Sequence, residues 1–278
     1  MATAISNGSM GKVATHEEWL AARKELLAKE KDFTRLRDEL SRKRRDLPWE
    51  KVAKQYVFEG PTGKETLADL FAGRSQLIIY HFMFAPGWKE GCPSCSFLAD
   101  SFDGATVHLA ARDTTFLAVS GATLPEIEVF RKRMGWQFKW VSSFGSDFNF
   151  DFNVSRSNDE IGKEKVYYNY EMTEFPADER PAASVFYKKN EQVFHTYSTY
   201  ARGLDILLPT YNWLDLTPKG RDEDGLAFSM AWVRHHDRYG DGYVVDPQKQ
   251  YQQPAKADSS CCSEGQNRQP FATLLKAI

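Results

Sequence analysis

The sequence predicts an α/β protein: a central mixed sheet flanked by helices, with a long N-terminal helix and an inserted, extended C-terminal region. Three observations carry this. Gln76-Leu-Ile-Ile-Tyr-His-Phe-Met-Phe84 is a continuous apolar run, the mark of a strand buried on both faces. Strand and helix patterns then alternate through Ser142, an order that builds right-handed β-α-β crossovers. Finally Ala182–Tyr187, a turn at Lys188–Glu191 and Gln192–Tyr200 read as a β-hairpin.

Taken in order, residues 1–14 read as a flexible leader. His16–Asp46 reads as one charged helix, with Trp19, Leu26, Phe33, Leu40 and Leu47 at seven-residue intervals and Leu27 and Leu36 in the same stripe. The basic run Arg42–Arg45 complements the helix dipole, and Pro48 ends the helix. The stripe suits a helix laid on its own domain and also allows a homodimer. Tyr56–Glu59 is a short strand and Thr66–Phe71 a short helix closed by Gly73. Gln76–Met83 is the buried strand, Cys95–Ala111 a helix and Thr115–Ser120 a second buried strand. Leu124–Met134 is a helix, Phe138–Ser142 a strand and Asp147–Phe152 an aromatic turn. Residues 155–180 form a polar insertion with one strand at Lys165–Tyr170. Gly203–Leu216 starts helical until Pro209 interrupts it, and residues 250–278 are a polar, mobile tail. Residues 15–249 thus make one domain.

The chain has 278 residues, of which 42% are hydrophobic, with a net charge of −2. That balance gives no basic excess for nucleic acid or an anionic membrane surface. No apolar stretch reaches the length of a membrane span and no secretory leader is apparent, so a cytoplasmic protein is expected. Four cysteines are too few for a disulfide scaffold, which turns attention to what two of them do chemically.

Cys92-Pro93-Ser94-Cys95 follows the apolar strand and opens a helix. A helix N-terminus favours a thiolate at the first cysteine, and the second lies one turn on, within reach of a disulfide or a shared metal ion. Trp88, in the loop before the pair, would shield it.

Strand, C-x-x-C and helix over residues 76–110 resemble the thioredoxin core. More specifically, Tyr80–Phe84, Gly87–Phe97, Ala110–Thr115, Ser143–Phe148, Val193–Gly203 and His235-His236-Asp237 are similar to the DUF899 family of thioredoxin-like proteins, whose function is uncharacterised. The resemblance spans roughly residues 15–245. It implies a thioredoxin-like fold and places Pro181 where thioredoxins carry a cis-proline beside the cysteines. It does not supply a reaction.

Two readings of the chemistry follow. In the first, the chain is a thiol–disulfide oxidoreductase that needs no cofactor, with Cys92 as attacking thiolate and Cys95 as resolving thiol. Pro181 would present its backbone to a thiol, disulfide or other small-molecule substrate. Thioredoxins place Trp next to the first cysteine, whereas here Lys89-Glu-Gly91 intervene. The Pro-x-x-x-Thr-x-x-Cys arrangement of peroxiredoxins is absent before either cysteine. In the second reading Cys92, Cys95 and His195 hold copper, or zinc, as two thiolates and an imidazole would in a Sco-type protein. His81 faces either the sheet core or the loop. His235 and His236, adjacent, would point to opposite faces of a strand, with one lining the site. Cys261-Cys262 in the tail would form a disulfide only under strain, but as a mobile pair would serve as a thiol relay or catch a soft metal.

Overall fold

The computed structural model describes residues 11–157, 160, 162–175 and 177–239. Most of the leader and all of the tail, with Cys261 and Cys262, lie outside the described residues.

Helix α1 (His16–Arg45) starts on a capping box: Thr15 Oγ1 accepts the Glu18 N–H at 3.2 Å, and the Glu18 carboxylate accepts the Thr15 N–H at 2.9 Å. Its heptad stripe does not lie on the body of the protein. Trp19, Leu26 and Phe33 are more than half exposed, and no residue of the helix is buried. A stripe of about one apolar position per seven residues is narrower than the broad apolar face with which a helix docks on a core. The last turn meets the sheet where Arg44 lies 5.6 Å over the Tyr197 ring.

The strands are β1 (Glu50–Lys51), β2 (Val57–Gly60), β3 (Gly63–Thr66), β4 (Gln76–His81), β5 (Thr114–Ser120), β6 (Trp140–Ser142), β7 (Lys165–Tyr168), β8 (Glu171–Glu174), β9 (Ala182–Lys189) and β10 (Gln192–Tyr200). Eight form one sheet in the order β1-β10-β9-β4-β5-β6-β2-β3, while β7 and β8 pair apart from it. β4, β5 and β6 run parallel, and β9 pairs antiparallel to β4. A central strand leading into the C-x-x-C helix, parallel neighbours on one side and an antiparallel hairpin on the other make the fold thioredoxin-like, as the sequence resemblance implies. No described helix is long and apolar enough to cross a membrane.

The expected single helix after Cys95 is two: α2 (Pro93–Ala99) and α3 (Phe102–Ala110). Ser101 Oγ donates to the Leu98 carbonyl at 2.7 Å, and the Asp100 carboxylate accepts from Trp136 Nε1 at 2.8 Å. Short polar side chains that bond locally compete with helix continuation. The expected helix at Thr66–Phe71 is instead the end of β3 followed by a 3-10 turn over Asp69–Phe71. Helix α4 (Leu124–Arg133) follows expectation, and the aromatic turn contains a short helix, α5 (Phe148–Asp151). The segment before Pro209 is helical as expected, a 3-10 helix over Ala201–Leu207, and Pro209 then begins a further helix, α6 (Pro209–Leu214), where its fixed φ and missing N–H suit a first helical position.

Between the sheet and α4 the core is aromatic. Phe82 and Trp140 meet at a tilt with centroids 4.4 Å apart, and Phe130, Trp136 and Phe138 surround them. The pleat of β4 sends Tyr80 and Phe82 to the face covered by α2 and α3 and sends His81 to the other, against Phe148 of α5.

Candidate active site

Beyond β4 the chain loops over residues 82–91 and turns into α2. The Cys92 N–H returns to the Met83 carbonyl at 3.1 Å, and Ala122 N–H bonds the Phe84 carbonyl at 2.8 Å. A glycine is required at 91: a Cβ there would stand 2.6 Å from Phe82 Cε1 and 2.8 Å from Phe130 Cε1. Cys92 is the N-cap of α2 and Pro93 the first helical residue.

Both thiols are buried, with Cys92 3% and Cys95 2% exposed, and neither is in a disulfide. Their environments drive them apart. Cys92 is held below the ordinary thiol range, first because the Cys95 S–H donates to it and then because the N–H groups of Cys95 and Ser94 point at it, while burial opposes. Cys95 is pushed well up, first by burial and then by the Cys92 thiolate. The hydroxyl of Tyr80, 2% exposed, donates to Cys95 and offsets part of that rise. Burial also keeps Tyr80 protonated, so it remains a donor.

The thiols and Tyr80 line a pocket of about 260 Å³. Met83, Leu98 and Pro181 line it from the body of the fold; Leu204, Leu208, Phe228, Met230 and Val233 close it from the C-terminal region. Glu223 organises this wall. Its Oε1 accepts from Tyr211 Oη at 2.6 Å, Trp232 Nε1 at 2.7 Å and the Met230 N–H at 2.9 Å.

The wall is fastened to the cysteine loop by a charged clamp. Arg238 grips Glu90 with two hydrogen bonds of 2.9 and 2.7 Å; Arg133 reaches Glu90 at 2.8 Å and Asp237 at 2.8 Å. His235 Nε2 lies 2.9 Å from the Gly91 carbonyl, and its Nδ1 is 3.3 Å from Arg133 Nη2. A carbonyl only accepts, so the network assigns the proton to Nε2. Burial lowers the His235 pKa, which keeps the ring in that neutral form. His236 bonds Asp100 at 2.6 Å, which raises its pKa. The two adjacent histidines therefore anchor one segment to two places, and they do so from a 3-10 turn rather than a strand.

Pro181 lies beside the cysteines, lining the pocket, because Ala182 at the start of β9 pairs with His81 at the end of β4. The Arg180–Pro181 bond is trans, not cis; every peptide bond among the described residues is trans. Trp88 packs half-buried against the core and is not among the pocket-lining residues.

The structure separates His195 from the thiols. His195 pairs with Phe186, which in turn pairs with Leu77, whereas the cysteine loop leaves from the opposite end of β4. At ~3.3 Å per strand residue, the four positions from Leu77 to His81 put it more than 10 Å along the sheet. His195 Nε2 instead sits 2.7 Å from Ser198 Oγ, which is 2.8 Å from Ser184 Oγ, itself 2.8 Å from His81 Nε2. His81 is the core histidine of the two expectations, stacked on Phe148 and Phe152, with its Nδ1 buried and unpartnered. Among the described residues no group of three or more His, Cys, Asp or Glu is arranged to hold a metal ion, so the set Cys92, Cys95 and His195 is not assembled.

Sequence reasoning missed Tyr80 as a partner of Cys95, and it missed the C-terminal wall. The apolar run Phe228-Ser-Met-Ala-Trp-Val233 was the available signal.

The fold and site define a thioredoxin-like protein with a dithiol lining a largely apolar pocket. The chain belongs to the DUF899 family, described as bacterial protein of unknown function, whose sequence model matches residues 9–239. Among curated proteins none matches. Solved structures similar to parts of it include peroxidoxin BcpB from Mycobacterium tuberculosis, at 13% identity over 59% of this chain and 95% of that one, with a TM-score of 0.38. Peroxiredoxin Q from Xanthomonas campestris aligns at 17% identity over 59% and 96%, TM-score 0.37. A putative thiol:disulfide interchange protein DsbE from Chlorobium tepidum aligns at 12% over 59% and 97%, TM-score 0.38.

Proposed function

We propose that this protein is a thiol–disulfide oxidoreductase working through Cys92 and Cys95. The observation that carries the reading is the opposed pair of thiols at one pocket: Cys92 held toward thiolate, Cys95 held as thiol. Exchange needs this asymmetry, because the thiolate attacks and the protonated partner waits. Cys92 Sγ attacks one sulfur of a substrate disulfide and expels the other as thiolate. Cys95 then loses its proton to solvent or to the departing thiolate and attacks Cys92 Sγ of the mixed disulfide, closing the protein disulfide and expelling the substrate's second sulfur as thiolate. Tyr80, a permanent donor to Cys95, steadies the negative charge that develops there. Turnover requires a second dithiol to reduce the disulfide.

The test is reversible oxidation of the full chain. The reduced protein is exposed to a mild disulfide and digested under alkylating conditions. The peptide that spans Cys92 and Cys95 should lose two hydrogens and regain them with dithiothreitol, and Cys92→Ser should abolish the change. Thiols that stay inert in the wild type overturn the reading.

A further inference from the structure

Building on that reading, we infer that the site is specific for small, neutral, apolar-bodied disulfides rather than protein disulfides or charged low-molecular-weight ones such as oxidised glutathione.

Size comes first. The pocket of about 260 Å³ lies just under the ~300–1,000 Å³ of ordinary small-molecule sites. The thiols it contains are almost without surface of their own. A disulfide must bring a sulfur to bonding distance of Cys92 Sγ, about 2 Å at the end of the reaction. A folded protein can do this only by displacing the wall that Leu204, Leu208, Phe228, Met230 and Val233 build. That wall is held by the three bonds to Glu223 and by the clamp of Arg133, Arg238, His235 and Glu90.

Polarity follows. Most of the lining is aliphatic, aromatic or thioether. The ionisable lining groups besides the thiols and Tyr80 are Glu90, Asp205 and Arg234. Glu90 is bonded to Arg133 and Arg238, and Asp205 to Arg202 and Arg221. Arg234 turns Nη1 back onto the carbonyls of Ala231 and Val233, at 2.8 and 2.9 Å. A carboxylate-bearing disulfide would meet one lining guanidinium, Arg234, already bonded to two carbonyls through Nη1, and a cationic one would meet carboxylates whose charge is already answered. Desolvating any charge in an apolar pocket without a partner is costly. A neutral body gains from the same walls.

The reaction balances with the protein as reductant: the dithiol plus R–S–S–R gives the protein disulfide and two R–SH. Cys92 Sγ forms the first S–S bond as one thiolate leaves, and Cys95 Sγ forms the second as the other leaves. The two protons come from the thiols.

The test uses pre-reduced full-length protein and four oxidants: neutral 4,4′-dithiodipyridine, dianionic 5,5′-dithiobis(2-nitrobenzoate), oxidised glutathione and insulin. Each rate of Cys92–Cys95 disulfide formation is divided by the rate of the same oxidant with free dithiothreitol, which removes leaving-group differences. The neutral disulfide should be favoured at least tenfold over each of the others. Ala231→Trp, which adds bulk at a half-buried wall position, should slow that reaction tenfold without changing the melting temperature. Equal or faster normalised rates with insulin or glutathione overturn the inference while leaving the oxidoreductase reading intact. No disulfide with any oxidant overturns both.

Discussion

Replacing Cys95 by alanine should raise the pKa of Cys92, and replacing it by serine should not. The Cys95 S–H bond is the largest influence holding Cys92 toward thiolate; the N–H groups of residues 94 and 95 survive either substitution. A hydrogen bond to a charged acceptor contributes about 1.5–3 kcal/mol net. At 1.36 kcal/mol per pH unit, losing it moves the midpoint up by about one to two units. Serine keeps a donor in the same place. Burial, which opposes ionisation of Cys92, is the same in both variants, so their difference isolates the bond. The assay is the pH dependence of Cys92 alkylation by iodoacetamide, followed on the tryptic peptide so that Cys261 and Cys262 do not contribute. Alanine and serine variants with the same midpoint would refute the assignment of the Cys95 thiol as donor. The helix N–H groups alone would then account for the thiolate.

Gly91→Ala forces a methyl group into the rings of Phe82 and Phe130 and should cost about 1–3 kcal/mol, read as a lowered urea midpoint; an unchanged midpoint would show that the loop gives way freely. His81, whose pKa is lowered from 6.5 to about 3 by burial, stays neutral in the fold while the unfolded chain takes up a proton below pH 6.5. Its contribution is complete above 6.5 and is lost as pH falls toward 3, about 2–3 kcal/mol over the first two pH units of that fall. Glu179, raised to about 8 by burial, acts with the opposite sign, losing stability as pH rises from 4.5 to 8, so the wild-type profile alone masks both. His81→Phe should differ from wild type by that slope in urea titrations at the two ends of this range, and parallel profiles would refute it. His235→Ala leaves the buried Gly91 carbonyl without its donor and should cost about 1–3 kcal/mol while speeding alkylation of Cys95 by loosening the wall; unchanged stability and labelling would remove the clamp from the account.

What was legible in the sequence is what local pattern encodes. β4 was legible because a strand covered on both faces lacks the polar alternation of a half-exposed one, and the thiol pair because it follows that strand's exit with Gly, Pro and two cysteines. His195 was misplaced for a physical reason: composition identifies a hairpin but not its register, and register alone decides which end of β10 lies near the cysteine loop. The break at Asp100–Ser101 depended on Trp136, a partner 36 residues away. The wall was illegible because 3-10 turns and irregular backbone carry no period; it is held by side-chain acceptors, with Glu223 taking three donors.

This division has a consequence for how such a site can change. Tyr80, Cys92 and Cys95 lie within 16 consecutive residues, and the hydrogen bonds that set the two thiols apart run among those residues and their immediate backbone. The aliphatic wall comes from residues 201–234, more than a hundred positions later, and touches the pocket rather than the thiol bonds. Substitutions at Leu204, Leu208 or Met230 therefore alter which molecule fits and reach the thiols only through burial, leaving the hydrogen bonds between them in place. Substitutions at Tyr80 or Cys95 alter the thiols whatever molecule enters. The clamp at Glu90, Arg133 and His235 is where the two halves meet, since the same residue, His235, belongs to the wall segment and holds the carbonyl of Gly91 next to the nucleophile.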